Sequence, residues 1–406
     1  MFILHFLVHT LVQTTIQAGI YMYMRKKVLI ICLSISLLLS TFSFTSKKSE
    51  AFSVSAQGAI LIEQSSGRVL YGKNEHQQMR IASITKIMTA ILAIESGKME
   101  EYVKVSTRAE GTEGSSLYLK AGEKIKLEDL VYGLMLRSGN DAAVAIAEHV
   151  GGSLEGFVYL MNQKAQEIGM NRTVFANPHG LDDHEEHYST AYDMAKLTQY
   201  AMESEHYREI SSTKNYKAQR EGDVYSYWQN KNRLLTQLYK YSTGGKTGFT
   251  KRAKRTLVST ATKEDLDLIC VTLNAPSDWN DHMNLFNSAF DRYKVETLAE
   301  EGTIKGIQDE FYKDRVYIPY TFKYPLTVKE REGVKKDITL YRPPKGEEAN
   351  NIYMPQPVGK LTITMNGKTL NSIPLYFLTP IEEEKKGFWS QIKEIFFLTL
   401  GVKIID

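Results

Sequence analysis

The sequence predicts an α/β (α+β) protein in which one sheet flanked by helices is followed by a small all-β domain. Two features of the first part support this. A strand-like hairpin (58–64 and 68–71) opens it, and paired strand-like runs (257–261 and 266–273) close it, with helical periodicity between them. Strands at both ends of a helical middle are typical of one sheet packed against helices. From about residue 295, short strand-like runs replace the helices and predict the second domain.

Length, composition and charge limit the classes of function. The chain has 406 residues, 43% of them hydrophobic, which is enough for two domains with their own cores. The net charge of +3 is too small to indicate a nucleic-acid partner, and the Lys and Arg residues are spread along the chain. We therefore expect no nucleic-acid binding.

The N-terminal residues 1–51 are predicted to be an extension followed by a signal peptide. Basic residues 25–27 precede an apolar run at 28–44, and residues 49–51 offer a small-x-small cleavage site. This pattern predicts an exported protein. The segment upstream of Met24 is either an extra membrane segment or the result of an early start codon, and we favour the second interpretation.

The cysteines agree with export. Cys32 lies inside the predicted signal peptide, so the mature chain keeps Cys270 alone and forms no intramolecular disulfide. Cys270 lies in the strand-like run 266–271, which predicts a buried core thiol rather than a reactive one.

The helical middle and the second domain are predicted element by element. The turn of the first hairpin is predicted at 65–67, and an Asn366-Gly367 pair marks a second hairpin. The predicted helices are 82–95, 127–150 (interrupted at 137–140), 159–168 and 192–204. The predicted strands of the second domain are 316–320, 326–328, 338–341 and 361–365.

These elements predict a domain at 52–295, which carries the motifs described below, and an all-β domain at 296–380. In residues 381–406, large apolar residues recur at helical spacing beside several lysines. They are Phe388, Trp389, Ile392, Ile395, Phe396 and Leu400. This pattern predicts an amphipathic helix lying at a membrane surface, and the alternative is a helix docked on its own β domain.

Three short motifs occur in one order along the chain: Ser83-Ile84-Thr85-Lys86, Ser138-Gly139-Asn140 and Lys246-Thr247-Gly248. A Ser-x-x-Lys pattern also occurs at Ser211 and Ser390, so this motif alone is weak. Only Ser83 precedes the other two motifs, and order and spacing therefore select it.

The first motif predicts a serine nucleophile with a lysine base. Residues i and i+3 lie on one helix face, so the amine of Lys86 can reach the hydroxyl of Ser83. Burial and the positive charge of Lys246 would lower the pKa of Lys86 and make it a general base. A capping serine with an exposed lysine is the alternative, and it fails to explain the other motifs.

The other two motifs predict substrate contacts. Ser138 can relay a proton between Lys86, the nucleophile and the leaving amine, and Asn140 can hydrogen-bond the substrate amide. Lys246 and Thr247 are predicted to hold an anionic substrate terminus through charge-assisted hydrogen bonds.

The residues that end the third motif predict a close approach of the substrate backbone. Gly248 leaves room for that approach. The backbone N–H groups of Ser83 and Phe249 are the expected oxyanion-hole donors.

At these residues the chain resembles the low-molecular-mass penicillin-binding proteins, the serine-type D-Ala-D-Ala carboxypeptidases, and particularly the branch of Gram-positive spore formers. The resemblance covers about 52–380 and the tail, and it includes 177–182, 188–191 and 246–250. It implies a β-lactamase/transpeptidase-like catalytic domain with an antiparallel sheet, at the outer face of the cytoplasmic membrane or in the cell wall space.

The resemblance also implies the reaction. Ser83 would be acylated by the penultimate D-Ala carbonyl of a peptidoglycan stem pentapeptide, the terminal D-Ala would leave, and water would release the acyl group. This would trim cross-linking in the cell wall, with the spore cortex as one setting. β-Lactam antibiotics would act as acylating inhibitors, and no cofactor would be needed.

One feature departs from the family pattern, and one could be mistaken for a metal site. Basic residues 251–255 stand where many relatives have small residues, which leaves the finer substrate preference open. His179, His184 and His187 lie among acidic residues, but their spacing matches no standard zinc pattern, so we expect no metal. The alternative functions are a serine β-lactamase and a non-catalytic penicillin-binding sensor, with transpeptidase or endopeptidase activity at the same serine also open.

Overall fold

A computed structural model of the chain describes residues 54–220, 224–343 and 357–377, together with Met22 and Met24. The predicted signal peptide and the predicted tail helix lie outside these residues. The strands are β1 (Gly58–Glu63), β2 (Val69–Lys73), β3 (Tyr102–Lys104), β4 (Lys124–Lys126), β5 (Asn215–Gln219), β6 (Tyr225–Gln229), β7 (Ser242–Thr250), β8 (Lys254–Lys263), β9 (Leu266–Leu273), β10 (Lys294–Ala299), β11 (Gly302–Thr303), β12 (Val316–Ile318), β13 (Phe322–Leu326), β14 (Val334–Leu340), β15 (Pro357–Met365) and β16 (Lys368–Phe377).

The helices follow the same chain order. They are α1 (Lys86–Glu95), α2 (Thr107–Glu110), α3 (Leu127–Arg137), α4 (Asn140–Gly151), α5 (Leu154–Glu167), α6 (Ala191–Ala201), α7 (Glu205–Ser212), α8 (Asp278–Arg292) and α9 (Val328–Arg331). A 3₁₀ turn (Ala82–Thr85) leads into α1, and a π turn (Leu234–Leu238) precedes β7.

The first sheet has five antiparallel strands in the order β2-β1-β9-β8-β7. Side chains of β9 alternate between two apolar cores, as the two-residue period of a strand requires. Ile269 and Val271 pack into the core shared with α1, α3, α4 and α6, whereas Leu268 and Cys270 pack against α8. The sheet is therefore covered by helices on both faces, which confirms the predicted fold class. Cys270 is fully buried, as expected for a core thiol.

The second sheet has the order β11-β12-β16-β15-β14 and encloses an apolar core of its own. Its β15–β16 hairpin turns at Asn366 and Gly367, whose φ angles are +50° and +79°. These left-handed values suit an Asn-Gly pair and confirm the predicted hairpin. The prediction of a strand at 326–328 is wrong in part, because β13 ends at Leu326 and a capping box formed by Thr327 and Glu330 begins a helical turn.

Arg68, which lies in the turn between β1 and β2, joins the first sheet to the antiparallel pair β10–β13 and to α9. Its guanidinium donates hydrogen bonds to the Pro325 carbonyl and to Glu330. The same group lies 5.2 Å from the ring centroid of Tyr293 and 5.1 Å from that of Tyr324. One side chain of the first sheet is thus enclosed by residues at and beyond the end of α8.

Several elements differ from the prediction in extent. The predicted helix 127–150 is two helices, α3 and α4, separated at the predicted interruption, and α5 begins five residues before the predicted start. Helix α8 and the β5–β6 hairpin were not predicted. Among the described ranges, no helix combines the length and the apolar character needed to cross a bilayer.

Candidate active site

Ser83 lies in the 3₁₀ turn that precedes α1. The turn is anchored to the first sheet because the hydroxyl of Thr256 donates to the Ile81 carbonyl over 2.9 Å. Ala82 has a φ of +50°, a left-handed conformation that is unfavourable for alanine. Strained backbone of this kind persists only where its surroundings fix it, and it is common at functional sites. The turn holds Ser83 one helical turn before Lys86.

Lys86 is completely buried and has three hydrogen-bond acceptors. Its Nζ lies 3.0 Å from Ser83 Oγ, 2.7 Å from Asn140 Oδ1 and 2.7 Å from the His179 carbonyl oxygen. These contacts match the three donors of an ammonium group. Burial holds the pKa of Lys86 well below its usual range, and the positive charges of Lys246 and Lys231 lower it further.

Ser138 and Asn140 lie at the break between α3 and α4. Ser138 has a φ of +65°, and this left-handed residue ends α3 and turns the chain into α4. The amide of Asn140 accepts from Lys86 through Oδ1 and donates through Nδ2 to the Glu113 carbonyl over 2.6 Å. Its amide therefore orients Lys86, and one N–H of the NH₂ group is left for a substrate.

Lys246 is also buried, with 1% of its surface exposed. Its Nζ donates to Ser138 Oγ over 3.1 Å and to the Thr247 carbonyl over 2.8 Å. Burial lowers the pKa of Lys246 to about 7, and the charge of Lys231 contributes. The second and third motifs are thus joined by a hydrogen bond, and Ser138 is paired with Lys246 rather than with Lys86.

Strand β7 lies directly beside the nucleophile turn. A Cβ placed on Gly248 would lie 2.4 Å from Thr256 Oγ1 and 2.9 Å from the backbone nitrogen of Ser83. Only glycine fits there without displacement of the turn. Phe249 follows, with a side chain that is 64% exposed, and it pairs with Arg255 of β8, as Thr247 pairs with Leu257. All eight predicted site residues are therefore on the turn, at the start of α1, on the α3–α4 break or on β7.

This arrangement coincides with two matches to known protein families. The family described as D-alanyl-D-alanine carboxypeptidase matches residues 44–277. The chain belongs to the D-alanyl-D-alanine carboxypeptidase family. A second family, described as the C-terminal domain of penicillin-binding protein 5, matches residues 293–383. The chain is accordingly a serine-type D-alanyl-D-alanine carboxypeptidase.

Individual relatives agree with the family assignment. D-alanyl-D-alanine carboxypeptidase DacF of Bacillus subtilis is 32% identical over 90% of this chain and 97% of its own length. DacC of Escherichia coli is 31% identical over 84% of this chain and 88% of its own. The crystal structure of penicillin binding protein 5 from Haemophilus influenzae is similar with a TM-score of 0.66 and 27% identity, covering 80% of this chain and 97% of that one.

The loop 177–190 supplies part of the carboxypeptidase site that the motifs did not reveal. The Asn177 side chain accepts from the backbone N–H of Gly180 over 2.7 Å, which shapes the turn that directs the His179 carbonyl to Lys86. A Cβ on Gly180 would lie 1.9 Å from the Ala82 carbonyl oxygen. Residues 177–182 carried the family resemblance, but nothing in the sequence assigned them this contact with the base.

Asp141 is another residue that sequence reasoning missed. Its carboxylate is fully buried and accepts from the Ser116 hydroxyl and from the backbone N–H groups of Leu117 and Leu119. These contacts fix the segment that precedes β4 against the start of α4. Its position directly after Asn140 was the one available signal, because a carboxylate that is buried beside the site needs hydrogen-bond donors.

The histidines of the loop have structural partners. His187 Nε2 lies 2.9 Å from Thr85 Oγ1, and His187 Nδ1 accepts from the Ala176 N–H. Burial lowers the pKa of His187 to about 4 and that of His179 to about 3, so both rings are neutral at pH 7. Among the residues described, no three His, Cys, Asp or Glu side chains are grouped to hold one metal ion.

Proposed function

We propose that Ser83 attacks the carbonyl carbon between the last two D-Ala residues of a peptidoglycan stem pentapeptide. The observation that carries this proposal is the 3.0 Å contact between Ser83 Oγ and the buried amine of Lys86. A serine hydroxyl needs a base within hydrogen-bond reach, and a lysine serves as one when its pKa is lowered by burial. Both conditions hold at this pair.

The proposed acylation forms a bond between Ser83 Oγ and the carbonyl carbon and breaks the bond from that carbon to the leaving nitrogen. Lys86 takes the Ser83 proton, and Ser138 relays this proton to the amine of the departing D-Ala, so that Lys86 becomes neutral again. The Lys246 contact with Ser138 supports this route, since a group with a pKa near 7 exchanges protons readily at neutral pH. Water then cleaves the acyl ester and restores Ser83.

The substrate is held by the third motif and by the backbone. We assign the terminal carboxylate to Thr247 and to the field of Lys246, and the substrate amide to the remaining N–H of Asn140. The backbone N–H groups of Ser83 and Phe249 would donate to the developing oxyanion. A Cβ at position 248 would lie 2.9 Å from the backbone nitrogen of Ser83. The lack of a side chain on Gly248 therefore supports this close approach.

The family assignment agrees with an exported protein. We further propose that residues 381–406 attach it to the outer face of the cytoplasmic membrane, on the basis of their amphipathic pattern. Flotation with liposomes that contain anionic lipids tests this attachment. Equal flotation of the full chain and of a chain ending at residue 380 would disprove it.

The function is tested by D-Ala release from a pentapeptide and by covalent labelling with a fluorescent penicillin. We expect the full chain to do both, and Ser83→Ala to lose at least about 10³-fold in release. Ser211→Ala is the matched control, because Ser211 also begins a Ser-x-x-Lys pattern but donates to the Arg208 carbonyl. Labelling without D-Ala release by the unmodified chain would support a sensor instead.

A further inference from the structure

Four charged side chains form a clasp at the edge of the site: Arg80, Asp182, Glu185 and Arg252. We propose that Glu185 is a positioning residue for acylation. The clasp ties together three segments, which carry the nucleophile, the His179 carbonyl that contacts its base, and the substrate strand. The inference rests on the proposed role of Ser83 and extends it to residues that touch neither Ser83 nor the substrate.

Glu185 is the centre of the clasp. Its two carboxylate oxygens accept from the two terminal nitrogens of Arg252, each over 2.7 Å. One of the same oxygens accepts from Arg80 over 2.7 Å, and the other Arg80 nitrogen donates to the His184 carbonyl. Paired guanidinium–carboxylate bonds are strongly directional. A single carboxylate thus fixes the relative positions of two arginines.

Asp182 adds a second link. It lies 3.7 Å from the Arg80 guanidinium and accepts from the backbone N–H of Arg252 over 3.3 Å. Two acidic residues of one loop therefore each contact both arginines, and loss of one contact leaves the other in place.

Each member of the clasp is close in sequence to a group in the site. Arg80 precedes Ser83 by three residues, and Arg252 follows Phe249 by three. Glu185 lies on the loop that begins at Asn177 and whose His179 carbonyl contacts Lys86. Short chain segments transmit displacement, and small misplacements of reacting groups reduce rates strongly. Loosening the clasp would therefore act on the Ser83–Lys86 geometry.

We expect loss of the clasp to have a moderate effect on the acylation rate. An isolated exposed ion pair changes an equilibrium by a factor of about five or less. This clasp differs from such a pair because Glu185 serves two arginines at once and the Arg80 side chain is 16% exposed, while Glu185 and Arg252 are 78% and 46% exposed. The hydrogen bonds from Arg252 and then the positive charges of Arg252 and Arg80 lower the pKa of Glu185 to about 2. The carboxylate is therefore charged throughout the working pH range.

The clasp also explains the basic run 251–255 that departs from the family pattern. Arg252 belongs to the clasp, whereas Arg255 pairs with Asp278 at the start of α8. The two arginines of the run therefore have separate acidic partners.

The experiment uses the full chain and measures the rate of Ser83 labelling by a fluorescent penicillin, with kcat and KM for D-Ala release. At low salt we expect Glu185→Gln to slow labelling about 3- to 10-fold and to lower kcat with little change in KM. Glu186→Gln is the matched control, an adjacent exposed carboxylate outside the clasp. Arg252→Lys should fall between the unmodified chain and Glu185→Gln, because it keeps the charge but loses the paired geometry.

Two further measurements separate positioning from a general effect on folding. The double variant Glu185→Gln/Arg252→Gln should be no slower than the slower single variant, since both changes break one unit. In about 1 M salt, where the screening length falls to about 3 Å, the difference from the unmodified chain should shrink. Unfolding temperatures are recorded for every variant.

Three results would overturn the inference. The first is an equal labelling rate for Glu185→Gln and Glu186→Gln. The second is a double variant whose rate is reduced by the product of the two single-variant factors. The third is a loss of labelling rate that is fully accounted for by the fraction of unfolded protein in the variant. Labelling of Ser83→Ala at the normal rate would instead overturn the proposed function, so the two failures are distinguishable.

Discussion

The two five-stranded antiparallel sheets of this chain contain the same number of strands but differ in the charge that they enclose. The layer between the first sheet and helices α1, α3 and α4 holds Lys86, Asp141 and Lys246, each at most 1% exposed. Of the residues described after 293, the buried side chains are apolar or tyrosine. The second sheet is thus an ordinary hydrophobic core, and the first contains a buried ionic network.

This difference indicates where the chemistry lies. Burial of an amine is costly unless hydrogen bonds replace the lost water. Lys86 is given three acceptors, which come from the turn, from α4 and from the loop 177–190. Stability alone would be served better by apolar residues, as in the second sheet. A network of this kind therefore has a functional rather than a structural explanation.

The sharpest test of the comparison replaces one lysine beside the first sheet and one lysine of the second sheet. Lys86→Ala should reduce Ser83 acylation by at least about 10³-fold, because the nucleophile loses its base. Lys336→Ala is the control, since Lys336 lies on β14 with an exposed side chain, and it should leave the rate unchanged. Stopped-flow measurement of penicillin labelling gives both rates. A Lys86→Ala rate within tenfold of normal would mean that another group is the base.

A pair of glycines gives the next largest effect. Gly248→Ala should slow acylation about 10²-fold, because its Cβ would displace Thr256 or the backbone of Ser83. Gly367, in the hairpin of the second sheet, has a φ of +79°, and an added Cβ would meet no atom within 4 Å. Gly367→Ala should therefore lower the free energy of unfolding by about 1 kcal/mol and leave the acylation rate unchanged. Labelling rates and denaturant unfolding test the pair, and a Gly248→Ala enzyme of normal rate would contradict the close packing.

Acid should destabilise the protein through buried histidines that pack against the first sheet. His282 is buried between Ser259 and Thr272, and burial lowers its pKa from 6.5 to about 3. The unfolded chain takes up a proton below pH 6.5 while the folded chain does not, so stability falls as the pH drops from 6.5 toward 3. The loss should reach about 2 kcal/mol near pH 5.

Calorimetry between pH 7.5 and 5 measures this loss. His282→Gln should reduce the pH dependence by about this amount and leave the part due to the buried His179 and His187. His206→Gln, a change at an exposed residue without these contacts, should keep the full pH dependence. His282 is the last histidine of the chain, so the second sheet has no equivalent group. An identical pH dependence in both variants would show that other groups govern the acid response.

The sequence predicted the parts of the site that are local. Ser83 and Lys86 are three residues apart on one helical turn, and the break at Ser138 was visible as a polar interruption of an apolar pattern. The contact of the His179 carbonyl with Lys86 spans 93 residues and uses a backbone atom, so no side-chain pattern marks it. The left-handed backbone at Ala82 is likewise imposed by tertiary contacts rather than by alanine itself.

The missed elements have similar reasons. Helix α8 has a largely polar sequence with four buried apolar residues. Their role is evident only once the face of the first sheet that carries Leu268 and Cys270 is known to pack against a helix. The burial of Lys246 was also unpredicted, because a lysine at a strand edge normally extends into solvent. Its hydrogen bond to Ser138 joins two motifs that are 108 residues apart.

Arg68 has a consequence for how the molecule unfolds. The Pro325 carbonyl, Glu330 and the Tyr324 ring contact Arg68 from β13 and α9, and Tyr324 packs against the core of the second sheet. Separation of the two cores would therefore leave the guanidinium without these partners. The two cores thereby share one interaction that neither can keep alone. Heating should melt them together in a single cooperative transition, like one domain, although each has its own hydrophobic interior.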